Sequence, residues 1–223
     1  MKKTLFLALS FVALALLVAG CGGKKKTETV VLEEQNAADS LKEVENMNKL
    51  ANLAEEPMFD IVTNYGTIRV KLYSGTPKHR ENFAKLALSG YYDGLLFHRV
   101  INGFMIQGGD PLTKDPANAA KFGTGGPDYT VPAEFVPEYT HKKGALAAAR
   151  KGDAANPTKA SSGSQFYLVQ DEVACAQLDG QYTVFGETVE GISTIDKIAA
   201  VEVNGRDCPL EDVKIISVKL VEE

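Results

Sequence analysis

The side chains best placed for chemistry lie in one run: Phe97-His98-Arg99-Val100-Ile101-Asn102-Gly103-Phe104-Met105-Ile106-Gln107-Gly108-Gly109-Asp110. It reads as a hairpin that turns near Asn102-Gly103. A two-residue loop is the default for that pair, and it sets Arg99 opposite Ile106. A three-residue loop from Asn102 to Phe104 sets Arg99 opposite Gln107 and puts Met105 on their face. The second register gathers a cation, an amide and a thioether on one side. It leaves Val100 and Ile106 for a core on the other, so it is the expected one, with Gly103 supplying the positive φ. An arginine beside Met105 and Phe104 sits in apolar surroundings. It needs either a partner, as in a surface salt bridge, or a task.

Other chemistries find little support. The chain has no Cys-x-x-Cys and no His-Glu-x-x-His, and its three histidines (His79, His98, His141) are far apart in sequence, so no zinc site is expected. The formal net charge is −5, and no basic stripe alternates with aromatics, so nucleic acid is not an expected partner.

The elements that must position the hairpin begin at Met58. Phe59 to Asn64 and Thr67 to Tyr73 read as strands around a Tyr65-Gly66 turn, with Ile68, Val70 and Leu72 alternating against Thr67, Arg69 and Lys71. Thr76-Pro77 opens a helix, with threonine as cap, that carries Phe83, Leu86 and Ala87 and closes at Ser89-Gly90. Short strand-like runs separated by glycine-rich turns follow, then a helix from Ile192 to about Ala200 and a last strand from Lys214 to Val221. Many short strands with two helices predict a mainly β fold, a barrel with helical covers.

The N-terminus has a different texture. Met1-Lys2-Lys3 precedes an apolar run from Leu5 to Val18, which has the layout of a secretory signal and is short for a membrane span. It ends in Val18-Ala19-Gly20-Cys21, which resembles a bacterial lipobox. That resemblance implies a signal peptide over 1–20, a lipidated Cys21 and attachment to a membrane of the bacterial cell envelope, on its extracytoplasmic or periplasmic face. Residues 21–57 then form a polar tether. It contains a Ser40-Leu41-Lys42-Glu43 capping box and a stripe of Leu41, Val44, Met47 and Leu50 that ends before Pro57. This helix is either solvated or packed on the domain or a partner. Cys175 and Cys208 are left to form one bridge or two buried thiols, and sequence leaves both open.

The run from Phe97 to Asp110 resembles the signature of the cyclophilin family, in which Phe-His-Arg is followed by Phe-Met-x-Gln-Gly-Gly-Asp. More of the family pattern follows in order. Gly125-Gly126-Pro127 with Glu134-Phe135, Gly144 to Arg150, Ser162-Gly163-Ser164-Gln165-Phe166-Tyr167, Leu178-Asp179-Gly180 and Val184-Phe185-Gly186 all match. The resemblance runs from about Phe59 to Leu220, essentially all of a domain placed at 58–223. It implies a closed eight-stranded antiparallel barrel capped by two helices.

It also implies a peptidyl-prolyl cis-trans isomerase acting on proline-containing segments of unfolded or exported proteins, as a monomer and without a cofactor or metal. Arg99 would be the catalytic residue, because arginine keeps its charge in an apolar site and holds a rigid donor fork. Phe104, Met105, Tyr167 and Leu178 would form the proline pocket, and Gln107 would bond the substrate backbone. The main chain of Ala149 and Arg150 would pair with the residues before proline. Phe166 would stay in the core. Gln177 stands where many members have tryptophan, Tyr182 where many have histidine, and Tyr167 in place of a phenylalanine. These changes bear on substrate preference and imply weak cyclosporin binding. The loops Pro111 to Gly123 and Lys151 to Ala160 look long, and either frame the groove or are surface insertions. The alternative function is a non-catalytic chaperone or scaffold that holds proline segments.

Overall fold

The computed structural model describes residues 39–222. The Leu5–Val18 segment, Cys21 and the tether as far as residue 38 lie outside the described residues. Contacts divide the chain into Met1–Lys42 and Glu43–Glu223. In the first unit residues 39–42 are helical, so Ser40 lies inside a helix and not at its N-cap. The second unit opens with a helix, α1, over residues 43–51. Its last turn and the residues after it dock: Leu50 and Leu53 pack against the core, Lys49 pairs with Glu45 and Glu222, and Arg80 donates to the Glu55 carbonyl at 2.6 Å. Val44 and Met47 stay exposed.

Eight antiparallel strands follow in one sheet, ordered β10-β1-β2-β9-β6-β8-β4-β3. They are β1 Met58–Thr63, β2 Gly66–Leu72, β3 Arg99–Ile101, β4 Met105–Gly108, β6 Ala145–Ala148, β8 Phe166–Val169, β9 Val184–Glu190 and β10 Ile215–Leu220. β5 (Thr130–Val131) and β7 (Ser161–Ser162) form a separate ribbon. The expected alternation holds: Ile68, Val70 and Leu72 point inward, and Arg69 and Lys71 do not. The sheet is strongly curled. Its two ends meet at a short seam, where Leu96 bridges Lys214, Phe97 N–H donates to Val213 O at 2.9 Å and Gly94 N–H to Ile215 O at 2.8 Å. The closed barrel implied by the sequence is thus a curled sheet whose edges are joined by an isolated bridge.

Helices α2 (Pro77–Leu88) and α4 (Ile192–Ala199) cover the sheet, and a single turn, α3, spans Glu172–Cys175. α2 is held by Phe83, whose ring packs on Phe59, Tyr92, Phe166 and Phe185. Its cap differs from expectation. The Thr76 side chain makes no cap bond and donates instead to Tyr73 O. Glu134, distant in sequence, accepts the first N–H groups, from Lys78 at 3.1 Å and His79 at 3.0 Å. A carboxylate there satisfies orphan donors and suits the positive end of the helix dipole.

β6 and β8 are buried on both faces. On β8, Phe166 and Leu168 join the main core. Tyr167 and Val169 face a second apolar cluster with Met105, Ala147, Cys175 and Val184. Cys175 and Cys208 are free thiols, the first buried, with its pKa pushed up to about 11 by burial.

Candidate active site

The hairpin takes the three-residue loop. Arg99 pairs with Gln107, Val100 with Ile106 and Ile101 with Met105. Gly103 has φ +76°, which an L side chain rarely adopts. The loop is pinned from outside: Gln170 accepts from Gly103 N–H at 2.7 Å, and the Phe104 carbonyl accepts from the N–H groups of Gln170 and Asp171. Val100 and Ile106 enter the main core. Arg99, Met105 and Gln107 face the other way, into a groove of about 430 Å³.

Apolar side chains build one end of the groove. Met105 and Tyr167 are buried, while Phe104, Leu178 and Tyr182 are half-buried and pack against the same cluster. They come from the hairpin loop and β4, from β8 and from the segment between α3 and β9. The Arg99 guanidinium is held loosely. It reaches Gln107 Oε1 at 3.5 Å and Asp207 Oδ2 at 3.8 Å, with the side chain 44% exposed. Arg150, by contrast, is committed. It donates to Gln181 O at 2.8 Å, Lys151 O at 3.0 Å and Asp153 Oδ1 at 2.6 Å, and lies 4.5 Å over the Tyr182 ring.

Behind Arg99 runs a chain of amides. Gln107 Nε2 donates to Gln165 Oε1 at 3.0 Å, and Gln165 Nε2 donates to the carbonyls of Gly123 and Gly125 at 3.1 and 2.7 Å. The fully buried Asp110 carboxylate takes the N–H groups of Leu112, Gly123 and Gly125. The loop from Pro111 is thereby drawn onto the groove, and Phe122 and Gly123 line it. Gly109, before the aspartate, has φ +88°, and a Cβ there would stand 2.3 Å from Ser164 O.

Nine of the residues singled out in the sequence line this groove: Arg99, Phe104, Met105, Gln107, Ala149, Arg150, Tyr167, Leu178 and Tyr182. Gln177 does not; it is exposed and turns its amide to Ala174 O. The main chain of Ala149 is already engaged, its N–H donating to Gln165 O and its carbonyl accepting from Ser162 N–H. Ala149 and Arg150 both line the groove, so the main chain expected to pair with a substrate borders it. The Lys151 to Ala160 loop is absent from the lining, although its Asp153 holds Arg150.

Phe122 and Gly123 come from the Pro111 to Gly123 loop, one of the two expected either to frame the groove or to be surface insertions, while sequence reasoning gave no role to His98 and Arg206, which complete the lining, or to Gln165 behind it. His98 and Gln165 sit inside quoted motifs, so the signal was present. Arg206 donates to Ala119 O and Ala120 O, a long-range contact with no local sequence signal. His98 is buried, and burial first, then the nearby Arg99 charge, lower its pKa against the pull of Asp110. Among the described residues no group of histidines, cysteines and carboxylates could hold a metal ion.

A family model for cyclophilin-type peptidyl-prolyl cis-trans isomerases matches residues 58–220. The human peptidyl-prolyl cis-trans isomerase-like 1 is 39% identical over 165 residues, which cover 73% of this chain and 91% of that protein. The Arabidopsis thaliana peptidyl-prolyl cis-trans isomerase CYP71 is 38% identical over 189 residues, covering 84% of this chain and 28% of that protein. A solved cyclophilin-type isomerase of Cryptosporidium parvum superposes with a TM-score of 0.66 at 30% identity, over 75% of this chain and 99% of that one. The same Cryptosporidium parvum isomerase was also solved in the presence of the dipeptide Ala-Pro. With hairpin register, groove and family model in agreement, this chain belongs to the cyclophilin-type peptidyl-prolyl cis-trans isomerases.

Proposed function

We propose that Arg99 accelerates X–Pro rotation by electrostatic stabilisation of the twisted amide. Resonance gives the peptide C–N bond a barrier of about 18–20 kcal/mol, and X–Pro exchange takes on the order of 10–100 s. In the twisted state resonance is broken and the proline nitrogen gains a lone pair. A guanidinium aimed at that nitrogen or its carbonyl favours this state over both planar ones. No nucleophile is needed. The proline ring occupies the end built by Phe104, Met105, Tyr167 and Leu178. Gln107, fixed by Gln165, orients the substrate backbone.

The observation that carries this reading is the contrast between the two arginines. Arg150 is anchored by short bonds to its own chain, whereas Arg99 has only long contacts and stands beside the apolar end. A protease-coupled assay on a proline peptide tests it. Acceleration by the wild type and none by Arg99→Ala supports catalysis. Equal rates for the two would leave the holdase alternative, in which the groove binds proline segments without turning them over.

The substrates we infer are proline-containing segments of exported proteins, met by a monomeric enzyme tethered through Cys21 to the extracytoplasmic face of a bacterial membrane. The lipobox-like Val18-Ala19-Gly20-Cys21 supports this setting. Fractionation of cells expressing Cys21→Ala should find the protein released; continued membrane association would remove the lipid anchor from the reading.

A further inference from the structure

The proposed mechanism uses the groove side of Tyr167 and leaves its hydroxyl without a role. That hydroxyl lies 2.8 Å from His141 Nε2, in a buried contact. His141 Nδ1 lies 2.6 Å from Asp179 Oδ1, which also accepts the His141 backbone N–H at 2.8 Å. The imidazole is wholly buried, and its plane lies 11° from that of the tyrosine.

The directions of these bonds follow from chemistry. Burial lowers the His141 pKa despite the opposing pull of Asp179, so the ring is neutral at neutral pH. A carboxylate only accepts, so Nδ1 carries the proton and Nε2 is an acceptor. The Tyr167 phenol must then donate, and burial, its largest influence, holds its pKa well above 10.0. The three groups form a one-way chain, Tyr167 to His141 to Asp179, running away from the groove.

The chain also joins parts that are separate in sequence. His141 precedes β6, Tyr167 is central in β8, and Asp179 directly follows Leu178, another groove residue. Tyr182, at the end of the same turn, makes a T-shaped contact with Tyr167, with centroids 6.1 Å apart.

We propose that His141 and Asp179 are positioning residues that hold the Tyr167 hydroxyl outside the proline pocket, so that a tyrosine can serve as an apolar pocket surface. A phenol deprived of its acceptor is unfavourable when buried. Turning toward the groove would restore water to it, at the expense of the space for the proline ring. The inference rests on the groove being the substrate site.

A double-mutant cycle in the full chain tests it, with kcat and KM measured for a proline peptide and folding followed by thermal melting. His141→Leu should lower kcat/KM about tenfold, mainly through KM, in the Tyr167 protein, and by less than about twofold in a Tyr167→Phe protein. His141→Gln, whose Oε1 can still accept, should recover most of the loss. Equal losses in both backgrounds, or no loss from His141→Leu, would overturn the proposal. If His141→Leu does not fold, the tautomer decides: ¹⁵N NMR of the wild type should show His141 as the Nδ1–H form at neutral pH, and the Nε2–H form would sink the chain. Absence of isomerase activity in the wild type would defeat the proposed function instead, and Ala-Pro affinity across the same variants would then judge the pocket.

Discussion

Arg99 stands directly opposite Gln107 across the β3–β4 hairpin, and its guanidinium approaches the glutamine oxygen at 3.5 Å. This pairing places the cation and the amide on the face that carries Met105, because side chains alternate along a strand. A one-residue slip would have turned Arg99 toward the main core, opposite Ile106.

The first prediction concerns the cation itself. Arg99→Ala should cut kcat/KM by about 100-fold or more, the usual scale for losing one preorganised electrostatic group. The side chain is substantially exposed, so thermal stability should change little. Arg99→Lys should recover only part of the loss, since a point charge replaces a planar fork. The coupled assay and a melting curve on the same samples check both halves.

Gln165 should matter without lining the groove. Gln165→Leu strips an acceptor from Gln107 and a donor from the carbonyls of Gly123 and Gly125. We expect a stability loss of about 1–3 kcal/mol from the orphaned groups, and a fall in activity of about tenfold as Gln107 loses its orientation. Wild-type activity in a folded Gln165→Leu protein would show that the amide chain does not position Gln107.

Gly109→Ala is expected to be severe. The new methyl would lie 2.3 Å from Ser164 O, and the backbone has φ +88°. A loss of about 3 kcal/mol or more is expected, measured by urea unfolding. A variant of wild-type stability would mean that the β4 end yields more readily than its packing implies.

Stability should fall on mild acidification. His79, His98 and His141 are each buried, and burial lowers each pKa below 6.5. Above 6.5 they are neutral whether the chain is folded or not. Below it the unfolded chain takes up protons that the folded chain resists, so stability declines from about pH 6.5 until the lowered folded values are passed. Melting temperatures from pH 8 to pH 5 should therefore be level at first and then drop, and a flat profile across pH 6.5 would contradict the assignment.

Much of this was legible in the sequence because it was local. The hairpin register followed from one alternation, Val100 and Ile106 against Arg99, Met105 and Gln107. The bounds of β2, α2 and α4 followed from turn residues and periodicity. The misses involve partners far apart in the chain. Glu134 takes the cap expected of Thr76. Arg206 joins the groove through the Ala119 and Ala120 carbonyls. Ser40 failed as a cap because a capping box is a short pattern that a helix can carry in its interior. Gln177 was placed by resemblance alone, and its side chain turns back onto its own turn.

The seam between Leu96 and Lys214 gives the active site a place in time. Asp207 receives the Val100 N–H at 2.7 Å and faces the Arg99 guanidinium, and Val213 receives Phe97 N–H. The strand that carries the arginine is thus held on its outer side by a segment far downstream of it in the chain. During synthesis the hairpin can form early, but its edge stays unpaired until Asp207 and the residues beyond it arrive. A nascent chain would therefore acquire its groove only once Val213 has been made, and a product truncated before Val213 should be silent as well as unstable.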